Sequence, residues 1–207
     1  MSDPIIIVGA EGHALSVANV AIGIGMRVVA FVDDNKAGSD LLGIPVLTKA
    51  QSFETHEADN FAIAIGNNFV RERVSLEYKS ARPSARFPSI IHHSAVIGIA
   101  SDIGEGTVVM PLAHIGPNSS VGAFCIMNTA SSIDHDCHMG SFSSIAPRAV
   151  TGGNVRIGLR SAVSIGATIK HGIEVGEDVV IGANSYVNKS IENNVVAYGT
   201  PCKSVRG

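Results

Sequence analysis

Between positions 134 and 138 the chain sets Asp134, His135, Asp136, Cys137 and His138 side by side. An imidazole with a carboxylate beside it makes a general base, because the carboxylate orients the ring and stabilises its protonated form. Asp136 is the first candidate for that partner and Asp134 its rival. Cys137, two residues from His135, offers a second chemistry, in which a thiolate carries an acyl group covalently. A separate group lies near the start of the chain. Gly9 and Gly12 follow a short apolar run and permit a tight turn that aims backbone N–H groups at a phosphate. Asp33 or Asp34, at the end of the next apolar run, would accept hydrogen bonds from ribose or sugar hydroxyls. Ala10 and Glu11 stand where a dinucleotide fingerprint expects Gly-x-Gly, so one nucleotide or nucleotide sugar fits better than a nicotinamide cofactor.

The elements that position these groups follow from two periodicities. From Ile91 an aliphatic or methionine side chain recurs every sixth residue, through Ile97, Ile103, Val109, Ile115, Val121, Met127, Ile133, Met139 and Ile145, then from Ile157 to Val187. Small residues, among them Ser119, Cys125, Ser131, Cys137 and Ser143, mostly stand four positions after each. A six-residue period is neither helical nor a plain amphipathic strand; it describes short flat strands meeting at corners, coiled into a three-sided prism. Thr151 is the one non-aliphatic step, two residues before Gly153. In this frame Cys137 takes the small interior position, facing away from solvent, and His135 stands at a corner, free to point outward. A covalent role for Cys137 is therefore disfavoured. His138 and Ser144, six residues apart, fall on different faces, whereas His135, Gly153 and His171 stack on successive coils, as do Ile165 and Ala183.

Before residue 86 the pattern changes. Pro4 to Val8 reads as a buried strand, the stretch from Gly12 to about Ile24 as a helix, and Arg27 to Val32 as a second strand, which together make a βαβ unit. A further strand, 61–65, runs into Gly66-Asn67-Asn68 and a helix to about Ser80. The expected organisation is a Rossmann-like domain at 1–85 that holds one nucleotide or nucleotide sugar and a parallel β-helix at 86–207, an α/β unit followed by an all-β one.

The formal net charge of −3, without basic or acidic runs, leaves no electrostatic footprint for nucleic acid or a membrane surface. Three scattered cysteines are too few for a disulfide framework or a zinc ribbon, so a cytoplasmic protein is expected.

The combination of Gly-x-x-Gly-His, Asp-Asp and hexads containing Asn128-Thr-x-x-x-Ile133-Asp134-His135-Asp136-Cys137 resembles the bacterial nucleotide-aminosugar N-acetyltransferases of the UDP-4-amino-sugar and perosamine type, and is similar to the sialic-acid O-acetyltransferases. The resemblance covers essentially the whole chain, down to Val196-Ala197-Tyr198-Gly199-Thr200-Pro201-Cys202-Lys203, which looks like the C-terminal cap of such left-handed β-helices. It implies a homotrimer in which acetyl-CoA lies between adjacent β-helices and the nucleotide-linked amino sugar sits on the N-terminal domain. The reaction it implies is acetylation of the 4-amino group of a 4-amino-4,6-dideoxy sugar for surface glycan biosynthesis, with His135 and Asp136 as the catalytic pair. Transfer to a hydroxyl of a sialic-acid-like sugar is the alternative. Carried over with it are substrate contacts at Glu11, Gly12, His13, Asp33, Asp34, Gly66 and Asn67, and acetyl-CoA contacts at Asn128, Ser144, Gly153, Ile165 and Ala183. At Ser144 the family commonly has a histidine that contacts the thioester; a serine hydroxyl still donates one hydrogen bond but reaches less far. His135-x-x-His138 with His114 suggests a zinc site of the carbonic-anhydrase type, but no separately supported ligand set accompanies it, and no metal is expected.

Overall fold

The computed structural model describes residues 3–205. The chain divides into two compact units, between His93 and Ser94.

The first unit is a small sheet flanked by helices: β1 (Pro4–Val8), α1 (Gly12–Gly23), β2 (Arg27–Val32), β3 (Asp40–Leu41), β4 (Ile44–Leu47), α2 (Lys49–Glu54), β5 (Asn60–Ile63) and α3 (Asn68–Ala81). Strand order is β3-β4-β2-β1-β5, parallel throughout except for the β3–β4 hairpin. Ile5, Ile6 and Ile7 are fully buried, which is why β1 reads as an unbroken apolar run rather than an alternation. Helix α1 covers the sheet with Ala14, Val17, Ala18 and Ala21, a helical stripe of small and β-branched residues. The hairpin strand β3, the strand β4 and the helix α2 carry no strong sequence period. A capping box, in which Thr48 and Gln51 satisfy each other's backbone N–H, starts α2. Helix α3 buries an unusual face of Asn68, Arg71, Ser75 and Tyr78.

The second unit is a left-handed parallel β-helix of two-residue strands. Its first face carries Val96–Ile97, His114–Ile115, Ser132–Ile133, Val150–Thr151, Thr168–Ile169 and Tyr186–Val187; its second runs from Asp102–Ile103 through Ser120–Val121, His138–Met139 and Arg156–Ile157 to Glu174–Val175. The third rises from Val108–Val109 through Ile126–Met127, Ser144–Ile145, Ala162–Val163 and Val180–Ile181 to Val196–Tyr198, where Lys203–Val205 closes it antiparallel. Strands pair with those eighteen residues on, as Ser120 does with His138, until the last coil, where Val180 pairs with Val196. The second residue of each strand fills the interior, with Ile115, Met127, Ile133, Ile145, Ile181 and Val187 fully buried. Ile97, on the first coil, is 37% exposed, because that end of the stack covers it from one side only.

The small interior positions have a second function, which explains why so many are serine or threonine. Ser119 Oγ donates to the Asp134 carbonyl (2.9 Å) and accepts from the Cys137 N–H (3.0 Å), and Ser161 repeats this with Gly176 (2.6 Å) and Val179 (2.9 Å). Each hydroxyl thus ties its coil to the next and satisfies corner peptide groups that would otherwise be buried without partners.

Candidate active site

His135 and Asp136 occupy the corner where the chain leaves the first face. Asp136 adopts the left-handed backbone conformation, φ +57°, as many corner residues here do, and this turns its carboxylate back toward the preceding side chain. His135 Nδ1 lies 2.7 Å from Asp136 Oδ2, and the Asn118 amide, one coil earlier, donates to Asp136 Oδ1. The hydrogen bond that His135 donates to Asp136, with the charge of Asp134 behind it, raises the His135 pKa above its ordinary value, while His135 and Asn118 lower that of Asp136. With Nδ1–H given to the carboxylate, Nε2 carries the lone pair, and the face of the ring lies over Gly153, where an added Cβ would stand 2.5 Å from both Cε1 and Nε2. Asp134 is not the ring's partner: its Oδ1 accepts the His135 backbone N–H at 2.8 Å.

A base of this kind is active when neutral, so turnover should rise with pH through a midpoint above 6.5. Asp136→Asn should move that midpoint down toward 6.5 and lower the plateau, as read from pH–rate profiles of both proteins. A midpoint that stays in place would exclude Asp136 as the cause of the shift.

Cys137 is buried, and its Sγ is enclosed by the Gly152 carbonyl (3.4 Å), the Thr151 hydroxyl (3.5 Å) and the His135 carbonyl (3.6 Å). It faces the interior, away from His135's side of the corner. His138 stands on the second face against Ser120 Oγ (2.8 Å), and His114 on the first against Ser132 Oγ (3.1 Å). Among the described residues no three His, Cys, Asp or Glu side chains gather into a metal-binding group.

The expected acetyl-CoA contacts divide between two edges. Gly153 shares the His135 corner, one coil on; exposed His171 follows it. Asn128, Ile165 and Ala183 stand instead at the corner leaving the third face, with Ile165 57% exposed and its carbonyl accepting from Asn184 N–H at 2.9 Å. Ser144, on the third face itself, is half-buried and turned outward beside this second edge. The first face separates the two groups within one chain.

In the N-terminal unit a cavity of 460 Å³ opens at the carboxyl ends of β1, β2 and β5, lined by Glu11, His13, Asp33, Asp34 and Gly66 among others. Two expected contacts do not line it. Gly12 begins α1 with open space where a Cβ would be, and Asn67 caps α3 by accepting from the Val70 N–H (3.0 Å). Gly9, with φ +123°, is required sterically: a Cβ there would meet the Ala64 carbonyl at 2.8 Å. Glu11 is paired with Lys36 (2.7 Å). Asp33 accepts from the Asn35 N–H (2.9 Å), and Asp34 from the Lys49 N–H (2.7 Å) at the start of α2; each uses Oδ1. Arg71, which apolar periodicity does not reveal, is buried in α3 and holds the Ile65 and Gly66 carbonyls at 2.8 and 3.1 Å, fixing the loop that forms one wall.

His13 does not cap α1. Its Nε2 is buried without a hydrogen-bond partner among the described residues. Burial first, and the Arg71 charge second, push its pKa down to about 4, so at neutral pH it offers a ligand one N–H and no positive charge. The unfolded chain binds that proton more readily than the folded one. Stability from this site should therefore be complete above 6.5 and decline as pH falls from 6.5 toward about 4. Urea midpoints of wild type and His13→Asn across that range should converge at low pH; parallel curves would show that His13 is not responsible.

A model of the family described as the PglD N-terminal domain matches residues 4–78. A GDP-perosamine N-acetyltransferase of Escherichia coli is 32% identical over 162 residues, 75% of this chain and 69% of that protein. A histidine-to-alanine variant of GDP-perosamine N-acetyltransferase from Caulobacter crescentus, in complex with CoA and GDP-perosamine, superposes with a TM-score of 0.94 at 28% identity, covering 99% of this chain and 97% of the other. The acetyltransferase domain of PglB from Neisseria gonorrhoeae, in complex with acetyl-CoA, superposes with a TM-score of 0.91 at 31% identity over 99% of this chain and 100% of that domain. By this sequence and structural similarity, the chain belongs to the nucleotide-aminosugar N-acetyltransferases, acyltransferases that use acetyl-CoA.

Proposed function

We propose that the protein transfers the acetyl group of acetyl-CoA to the 4-amino group of a nucleotide-linked 4-amino-4,6-dideoxy sugar, by direct attack with His135 as general base. The observation that carries this reading is the hydrogen-bonded His135–Asp136 pair at an exposed corner, with the ring seated over Gly153 and Nε2 left as the acceptor. His135 Nε2 takes a proton from the sugar amine as the C–N bond forms; the tetrahedral adduct then breaks its C–S bond, and the proton held by His135 passes to the sulfur, so that CoA leaves as the thiol. Ser144 supplies a hydroxyl for the thioester oxygen as negative charge develops. Enclosure of Cys137 within the coil favours direct attack over an acyl-cysteine.

The residues assigned to acetyl-CoA stand on two edges of one prism, so a single cofactor uses both sets when two copies pack with unlike edges together. Repeating that contact around a threefold axis gives a homotrimer with three such clefts. The domain at 1–85 holds the nucleotide sugar, with the second carboxylate oxygens of Asp33 and Asp34 available to it, and the domain at 86–207 performs the transfer. Free cysteines and the use of acetyl-CoA suit a cytoplasmic enzyme of bacterial surface glycan synthesis. No described helix is long and apolar enough to cross a membrane.

Relatives that act on GDP-perosamine make GDP-linked 4-amino sugars the first substrates to try. Thiol release from acetyl-CoA, assayed with GDP-, UDP- and dTDP-linked 4-amino-4,6-dideoxy sugars, tests the reading: turnover with at least one supports it, and silence with all three overturns it.

A further inference from the structure

One rung of the β-helix differs from its counterparts among the described residues. In the other coils the residue after the interior one donates its N–H to the backbone carbonyl of the interior residue one coil on: Gly116 to Ile133, Asn128 to Ile145, Gly140 to Ile157, Gly152 to Ile169. At Asp134 the corresponding carbonyl belongs to Thr151, yet the Asp134 N–H is donated to the Thr151 hydroxyl, at 3.3 Å. The ladder shows the same departure. Ser132 pairs with Val150, but the Ile133–Thr151 step is absent, although the strands before and after pair at both residues.

Thr151 is buried at the interior position where the repeat otherwise places an aliphatic or methionine. From the opposite side Ser119 Oγ donates to the Asp134 carbonyl at 2.9 Å. Buried hydroxyls therefore hold the peptide groups on both sides of Asp134, and Asp134 Oδ1 in turn accepts the His135 N–H at 2.8 Å. A side-chain oxygen is not constrained to the plane of the ladder as a carbonyl is, so the turn at 134–136 need not follow the pitch of the other corners. Isosteric valine cannot replace this oxygen.

We propose that Thr151 is a positioning residue for the base: its hydroxyl sets the pitch of the 134–136 turn and thereby holds the imidazole on Asp136 and over Gly153. This rests on the assignment of His135 as general base. It gives the single break in the hexad series a reason, since an aliphatic there would restore the ordinary rung and move the turn.

The test compares wild type, Thr151→Val and Thr151→Ser by steady-state kinetics and by NMR titration of the His135 ring. Thr151→Val should lower kcat by about tenfold with KM for acetyl-CoA within about twofold, as expected when a catalytic group is displaced without loss of cofactor contacts. Thr151→Ser should recover most of kcat, and only the valine variant should move the His135 titration midpoint. Wild-type kcat and titration in Thr151→Val would overturn the proposal, as would a serine variant as impaired as the valine one. An inactive wild type would instead overturn the catalytic reading, and the titration would still decide whether Thr151 positions the ring.

Discussion

Replacing His135 by alanine should lower kcat for acetyl transfer by about a hundred- to ten-thousand-fold, the range expected when a general base is removed. The fold should be unaffected. The His135 side chain is 57% exposed, and its backbone N–H keeps its bond to Asp134 in the variant. KM for acetyl-CoA should change little, because the residues assigned to the cofactor, apart from Gly153, stand at another edge. A thiol-release assay at saturating substrates reads this directly. Activity within tenfold of wild type would mean that the amine loses its proton elsewhere, since retention of that much rate is incompatible with loss of the base.

Gly153→Ala should be nearly as damaging, through geometry alone. The added Cβ would stand 2.5 Å from both Cε1 and Nε2 of His135 and 3.0 Å from Nδ1, closer than non-bonded contact allows. The obstacle is the end of a mobile side chain, so the fold accommodates it by rotating the ring, at the expense of the 2.7 Å bond to Asp136. Loss of about a hundredfold in kcat is expected from a displacement on the order of 1 Å, with little change in Tm. The His135 midpoint should fall toward its ordinary value once Asp136 no longer holds the ring. Gly152→Ala provides the contrast, because its Cβ would meet the His171 backbone nitrogen at 2.8 Å and must move a coil. That variant should lose Tm. If Gly153→Ala keeps full kcat, the imidazole does not occupy the position described.

These expectations depend on how directly the sequence encodes the second unit. A six-residue period maps onto two-residue strands and corners without ambiguity, so Ile133 inward, Cys137 inward and His135 outward all follow from position. The N-terminal unit was legible where burial is apolar, as in β1 and α1, and obscure elsewhere. Helix α3 turns Asn68, Arg71, Ser75 and Tyr78 inward, and polar residues give no apolar stripe to read. The hairpin at Asp40–Leu41 and the short α2 are defined by turn and cap chemistry rather than by a period.

Within the site, adjacency in sequence exposed His135 and Asp136, but Asn118 reaches Asp136 across a coil, and only the eighteen-residue spacing could have pointed to it. The same arithmetic stacks Ile165 on Ala183 and separates both from His135, since Ile165 stands thirty residues after His135, not a multiple of eighteen, whereas the six-residue period alone gives all three the same place in the hexad. Thr151 was visible as an anomaly; its meaning required the identity of its partner, a backbone N–H that no sequence pattern records.

The central claim is that the acetyl group ends on a sugar amine. Its most direct test is mass spectrometry and proton NMR of the product formed by the purified protein from acetyl-CoA and a GDP-linked 4-amino-4,6-dideoxy sugar. The expected product is a single acetamide at C4, resistant to mild alkali and absent with His135→Ala; an alkali-labile ester, or CoA release without acetylated sugar, would contradict it.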